Sequence, residues 1–248
     1  MADAAKCALV TGASQGIGAA TARALAADGY RVILHYGSQR DKAEAHAADI
    51  RAGGGEADVV GADLSQPNAA HELAAEVTEL CSGKLDALVL NAAIMPGGDV
   101  DVCTPEMFDA IFHINLRAPF FLLQQLSPSL REGASVVFMS SVTARRALYP
   151  VAAYGAMKYA LESLTRRAAV QFGERWIRIN AVAPATTESE TVAPYLAQGP
   201  MREATLADQA LKRITQPEDV ADVIAFLCSD KARMITGALI PVDGGTLL

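Results

Sequence analysis

Short apolar runs alternate with longer segments of helical period along this chain. The runs predict strands at 7–11, 31–36, 57–61, 87–91, 135–139, 177–182 and 238–242. The periodic segments predict helices near 16–28, 41–52, 67–82, 105–131, 154–173 and 217–229. Runs such as Ala-Leu-Val-Leu at 87–90 and Ser-Val-Val-Phe at 135–138 lack the alternation of a strand with one wet face. Strands covered on both faces read this way, so the pattern predicts a seven-stranded parallel sheet with helices on both sides. Strand alternating with helix makes that sheet doubly wound, in an α/β domain. Local signals agree. Thr104-Pro105-Glu106 reads as an N-cap with proline in the first turn, and Thr215-Gln-Pro-Glu218 has capping-box spacing. Residues 185–212 show no clear period, and they precede the last helix and strand. Long irregular insertions usually act as lids or binding loops. With no repeat, low-complexity segment or linker, 1–248 reads as one domain with a lid at about 185–212.

Composition narrows the function classes. Hydrophobic residues make up 51% of the 248 and charged residues 20%, with mean hydropathy +0.20, which excludes intrinsic disorder. The net charge of −7 argues against a nucleic-acid surface, which needs a basic face. No run approaches the ~18 consecutive apolar residues of a membrane span. The amino-terminal residues enter a strand without a signal-peptide core. Cys7, Cys81, Cys103 and Cys228 are scattered, with no Cys-x-x-Cys and no nearby histidine pair. They read as reduced thiols, not a disulfide frame or metal site, and point to the cytoplasm.

Thr11-Gly12-Ala13-Ser14-Gln15-Gly16-Ile17-Gly18 follows the first strand and opens the first helix. Glycines there permit tight turns and close approach of a pyrophosphate, and the helix start offers unpaired N–H groups and a positive dipole end. The spacing is Gly-x3-Gly-x-Gly, not Gly-x-Gly-x-x-Gly. The second strand ends in Leu34-His35-Tyr36-Gly37-Ser38-Gln39-Arg40. An NAD site places an acid there to hold the ribose hydroxyls. No acid is present, and Ser38 and Arg40 suit a 2′-phosphate, so NADP(H) is favoured over NAD(H).

Tyr154 and Lys158 are four residues apart at the start of a predicted helix, so they share one face. A free tyrosine titrates near 10, and a neighbouring ammonium should lower that value. Ser141 closes the fifth strand, where strand carboxyl ends face a ligand crevice. Its neighbour Ser140 should point to the opposite face. In Asn115-Leu-Arg-Ala-Pro119, the proline removes the helical partner of the Asn115 carbonyl and predicts a kink.

From Lys6 to Leu248 the chain resembles the short-chain dehydrogenase/reductase family, nearest to bacterial 3-oxoacyl-[acyl-carrier-protein] reductases. The matching motifs are Thr11 to Gly18, Asp63-Leu64, Asn91-Ala92-Ala93, Asn115, Ser141, Tyr154-x3-Lys158, Asn180 to Pro184, Ile235 to Gly237 and Pro241 to Gly245. The resemblance implies a Rossmann domain and ketone–alcohol interconversion by hydride transfer. It implies Tyr154 as acid and base, Lys158 on the nicotinamide ribose, Ser141 on the carbonyl and Asn115 on a relay water. Gly12, Ser14, Gln15, Gly16, Ile17 and Gly18 would cradle the pyrophosphate. Tyr36, Ser38, Arg40, Asp63 and Leu64 would surround the adenosine, Asn91 to Ala93 would line the cleft, and Pro184 and Thr187 would border the nicotinamide.

The chain departs from the family at Ala185, where glycine is frequent, and at Thr187, where many members have isoleucine. Met157 replaces a frequent serine, and Gln15 replaces the basic residue of many NADP-using members. The substrate implied is a 3-oxoacyl thioester or similar carbonyl compound, free or carrier-linked. A sugar, steroid or cyclic alcohol is the alternative. Arg145 and Arg146 either attract an acidic substrate or carrier, or stand as solvated charges. A catalytically silent nucleotide sensor is the rival of another class, though such proteins typically lose the tyrosine or lysine. An extended-fold epimerase would need a larger substrate domain. Thr191, Tyr195, Leu196, Met201 and Leu206 give the lid an apolar character. Phe120, Phe121, Leu161, Leu164 and Phe172 exceed what one sheet face needs, and the family resemblance implies a homo-oligomer, a tetramer.

Overall fold

The computed structural model describes residues 6–190, 192–197 and 199–248. Thr191 and the side chain of Tyr195, both named for the lid, lie outside the described residues. The strands are β1 (Lys6–Val10), β2 (Tyr30–Tyr36), β3 (Ala57–Gly61), β4 (Leu85–Leu90), β5 (Leu130–Met139), β6 (Arg178–Pro184) and β7 (Leu239–Val242). The α-helices are α1 (Gly16–Ala27), α2 (Arg40–Ala52), α3 (Ala69–Leu80), α4 (Pro105–Phe112), α5 (Ala118–Leu126), α6 (Ala152–Phe172), α7 (Ala193–Leu196), α8 (Pro200–Asp208) and α9 (Pro217–Cys228). The strands form one parallel sheet in the order β3-β2-β1-β4-β5-β6-β7. That is the doubly wound sheet predicted from the apolar runs.

The uniform strands are explained by two cores. Leu88 and Leu90 of β4 enter a core with Leu73 of α3, Leu122 of α5 and Leu161 of α6. Their neighbours Ala87 and Val89 enter a second core with Leu25 of α1 and Val220 and Ile224 of α9. Successive strand residues point to opposite faces, so a strand buried on both faces has no polar phase. Chain order reverses between β1 and β4, and a crevice opens beyond the carboxyl ends of the strands there.

Several boundaries differ from expectation. The predicted helix at 105–131 is α4, then a π-helical turn at His113–Arg117, then α5. The Ala118 N–H donates to the His113 carbonyl five residues back. Pro119 has no N–H to give, and the chain absorbs the gap with a wider turn in place of the expected kink. α5 ends at Leu126, and β5 begins at Leu130, ahead of the expected 135. The capping box of α9 lies one residue later than its sequence spacing implied. Gln216 is the N-cap, and its N–H donates to Asp219 Oδ2 at 2.7 Å. At α4 the expected cap is present, with Met107 N–H on Thr104 Oγ1 at 3.3 Å. The segment 185–212 contains the short helices α7 and α8. No helix is long and apolar enough to cross a membrane, and no cluster of metal-ligating side chains occurs, among the described residues. The four cysteines are free.

Candidate active site

The loop between β1 and α1 is held by bonds that its glycines make sterically possible. Gly12 lies at φ +66 and Gly16 at φ +54, both in the left-handed region. A Cβ on Gly18 would sit 2.2 Å from the Gly12 carbonyl oxygen, so nothing larger than hydrogen fits. Asn91, just after β4, donates from Nδ2 to the carbonyls of Thr11 (2.8 Å) and Gly12 (3.1 Å). The Thr11 hydroxyl accepts from the N–H groups of Asn91 (2.9 Å) and Ala92 (3.0 Å). Gln15 caps α1 without a side-chain bond, and the first turn carries no acid. The helix N–H groups and dipole are thus left for an anion, which fits a dinucleotide pyrophosphate.

Beside this loop lies a cleft of about 500 Å³. Of the residues expected at a cofactor, Gly12, Ser14, Gln15, Gly16, Ile17, Gly18, Ser38, Asp63, Leu64, Asn91, Ala92, Ala93, Tyr154 and Thr187 line it. Tyr36, Arg40, Lys158 and Pro184 do not. The Tyr36 ring instead covers Gly61, where an added Cβ would meet it at 2.6 Å. Arg40 is exposed and faces Glu44 at 3.9 Å. Sequence reasoning missed His35, Gly37, Gln39, Ala62, Ile94, Met95, Ile114, Glu188 and Ser189. Most of these lie beside a recognised motif and have no distinctive chemistry of their own. His35 carried a signal, a lone polar ring within an apolar strand. After β6, Glu190 pairs with Lys42, tying the start of the 185–212 segment to α2.

Ser141 lies two residues past the end of β5 and caps the 3-10 turn Val142–Ala144. Its Oγ accepts from the Thr143 N–H (3.2 Å) and the Thr143 hydroxyl (2.9 Å). Tyr154 and Lys158 project from α6 as their spacing predicts, with Nζ 5.4 Å from the ring centroid. Protein atoms crowding the phenol push the Tyr154 pKa up to about 12, against the opposing effect of a hydrogen bond with Ser141. The same burial lowers Lys158 to about 7. The tyrosine is therefore raised and not lowered as expected: desolvation dominates, and the opposing effect comes from Ser141, not from Lys158. Lys158 Nζ instead donates to the Met139 carbonyl at 2.7 Å.

Ser140 faces away from Ser141, as alternation requires. Its hydroxyl donates to Glu162 Oε1 at 3.0 Å, and Arg145 pairs with Glu162 Oε2 at 2.8 Å. Arg146 donates to the Thr246 carbonyl (2.8 Å) and pairs with Asp208 of α8 (3.0 Å). Both arginine side chains are exposed, at 43% and 41%, in keeping with the solvated-charge alternative, and each is also paired with a carboxylate. Asn115 is buried in the π turn. Its side chain accepts from the Ile94 N–H (2.9 Å) and donates to the Ile94 carbonyl (2.8 Å). Asn180 similarly bonds the Ile235 carbonyl and the Ala238 N–H, bracing the approach to β7.

A family model described as enoyl-(acyl carrier protein) reductase matches residues 12–246. Versicolorin reductase 1 of Aspergillus parasiticus is 37% identical, over 97% of this chain and 95% of that protein. The 3-oxoacyl-[acyl-carrier-protein] reductase FabG of Staphylococcus epidermidis is 35% identical, over 97% and 98%. Among solved structures, angucycline C-6 ketoreductase LanV with bound NADP superposes with TM-score 0.91 at 38% identity, over 98% of this chain and 95% of that one. With the glycine loop, the Tyr154–Lys158 pair and the parallel sheet in place, the chain belongs to the short-chain dehydrogenase/reductase family and is an oxidoreductase.

Proposed function

We propose that this protein reduces a ketone to a secondary alcohol with NADPH, in the cytoplasm. The observation that carries the reading is the convergence of Ser141, Tyr154 and Lys158 beside the glycine-loop cleft. Bound NADPH supplies the hydride. The Ser141 oxygen accepts twice from Thr143, so the one proton it can donate, shared with the Tyr154 phenol, is the one that holds the substrate carbonyl. Tyr154, with its pKa raised to about 12, keeps its proton at neutral pH and donates it to the carbonyl oxygen. As that proton leaves, the phenolate forming beside Lys158 favours the charged form of the lysine, and that ammonium in turn stabilises the phenolate. Asn115 holds the π turn through Ile94, beside the cleft, and its carbonyl holds the relay water. Gly37, Ser38 and Gln39, with no acid among them, form the wall that admits the 2′-phosphate. The segment 185–212 serves as the substrate lid.

Two substrates follow from the relatives: a 3-oxoacyl thioester and a polycyclic aromatic ketone. The second is favoured because Arg145 and Arg146, the charges suited to a carrier, are both paired. The reading extends to a homotetramer, supported by the exposed Phe108, Phe120, Tyr159 and Val170 on α4, α5 and α6. Light scattering that gives a monomer of 26.0 kDa refutes the assembly. The function is tested by following NADPH and NADH oxidation with a 3-oxoacyl thioester, a polycyclic quinone and simple cyclic ketones. NADPH-dependent turnover of a ketone is expected. Cofactor binding without turnover of any carbonyl refutes the reading in favour of a silent sensor.

A further inference from the structure

His35 is 1% exposed, yet it borders the cleft and sits one residue before the end of β2. Its ring has two partners in two different loops. Nδ1 lies 3.1 Å from the Gly12 backbone nitrogen and accepts that N–H. A nitrogen that accepts carries no proton, so the proton is on Nε2, which donates to the Ala62 carbonyl at 3.0 Å. The imidazole is thereby neutral and confined to one tautomer. The His35 main chain reinforces the link, since its carbonyl accepts from the Ala13 N–H at 2.8 Å.

Gly12 is consequently held on both sides. Its N–H is fixed by His35 and its carbonyl by Asn91. Ala62 leads directly into Asp63 and Leu64, which line the same cleft as the glycine loop. One ring therefore sets the spacing between the glycine loop and the segment after β3. Such a brace lowers the cost of ordering both walls when a ligand enters.

We propose that His35 is a positioning residue for the dinucleotide, clamping the glycine loop to the β3 wall through its neutral imidazole. This rests on the reading of the cleft as a nicotinamide dinucleotide site. An apolar ring or chain of similar size would fill the space but leave the Gly12 N–H without its acceptor. Asparagine keeps an acceptor at the δ position, within reach of Gly12. Glutamine keeps a donor at the ε position, within reach of Ala62, and gives up the Gly12 bond.

The test measures NADPH Kd, the KM for NADPH, kcat and Tm for wild type and for His35→Leu, His35→Gln and His35→Asn. A buried donor left without a partner is expected to weaken His35→Leu by about tenfold in Kd and KM. The fall in kcat should be much smaller than the rise in KM. His35→Asn should recover most of the affinity, and His35→Gln less. If His35→Leu does not fold, the order of asparagine above glutamine still decides the matter. Affinities equal to wild type in the folded variants, with only Tm reduced, overturn the proposal and leave His35 as core. Nitrogen-15 NMR of the wild type at pH 7 should show Nδ1 unprotonated; an Nδ1–H tautomer or an imidazolium overturns it as well. Wild-type protein that binds neither NADPH nor NADH overturns the dinucleotide reading, whereas binding that is insensitive to all three variants overturns this proposal alone.

Discussion

Replacing Arg145 with methionine removes the cation paired with a carboxylate whose side chain is 0% exposed. In the native protein Glu162 Oε2 receives Arg145 Nε at 2.9 Å and Nη2 at 2.8 Å, while Ser140 donates to Oε1 at 3.0 Å. Breaking one partner out of a buried pair costs about 3–5 kcal/mol, because the remaining charge is stranded. The arginine side chain is 43% exposed, so water already screens its half of the pair. The low end, about 2–3 kcal/mol, is the expected loss for Arg145→Met. At roughly 2–4 °C per kcal/mol for a chain of this size, Tm should fall by about 4–12 °C. Urea denaturation and thermal melting of Arg145→Met, Glu162→Leu and the double variant measure it. The double variant should be more stable than the sum of the singles predicts, since it strands no charge. Catalysis should suffer too. Arg145 follows the turn begun by Ser141, and Glu162 lies one helical turn beyond Lys158, so the pair holds these two groups in register. A Tm for Arg145→Met within 1–2 °C of wild type, roughly the shift of half a kcal/mol, refutes the reasoning. So does strict additivity of the two substitutions.

Further expected outcomes follow from the loop, the histidine and the π turn. Gly18→Ala places a methyl carbon 2.2 Å from the Gly12 oxygen and should abolish NADPH binding, measured by fluorescence titration; near-normal Kd would contradict the loop geometry. Burial lowers His35 to about 4 from its ordinary 6.5. The unfolded chain therefore takes up this proton first, so the stability due to His35 is present above pH 6.5 and lost as pH falls to about 4. Over that window it amounts to about 3 kcal/mol; urea melts at pH 7 and 4.5 should show a smaller loss for His35→Asn than for wild type, and equal losses would contradict it. Asn115→Leu strands the Ile94 N–H and carbonyl at a cost of about 1–3 kcal/mol and should lower kcat as the π turn shifts; unchanged Tm and kcat would refute that role.

The sheet and the main motifs were legible because their signals are local. A strand such as Leu85–Leu90 is apolar on both faces, and Tyr154 and Lys158 share a face by helical geometry alone. The break in the 105–131 segment was only half legible. Pro119 announces a lost hydrogen bond, but whether a helix kinks or widens depends on what Asn115 meets, and Ile94 comes from another element. The partners of the two arginines were hidden for the same reason. Glu162 and Asp208, their partners, lie 17 and 62 residues away, and no period links them. His35 was visible as a polar residue in an apolar strand, but its partners Gly12 and Ala62 offer only backbone groups. Of the residues expected at the cofactor, Arg40 and Tyr36 fell outside the cleft because motif position does not fix side-chain direction.

The central claim is that Tyr154 delivers the proton while the rest of the cleft binds the cofactor. The most direct measurement is Tyr154→Phe, assayed for NADPH Kd and for kcat with whichever ketone the wild type turns over. The ring stays and only the acid is lost, so Kd should remain near wild type while kcat falls by a factor of about 10²–10⁴. Retention of most of the wild-type kcat, with Kd unchanged, would contradict the account.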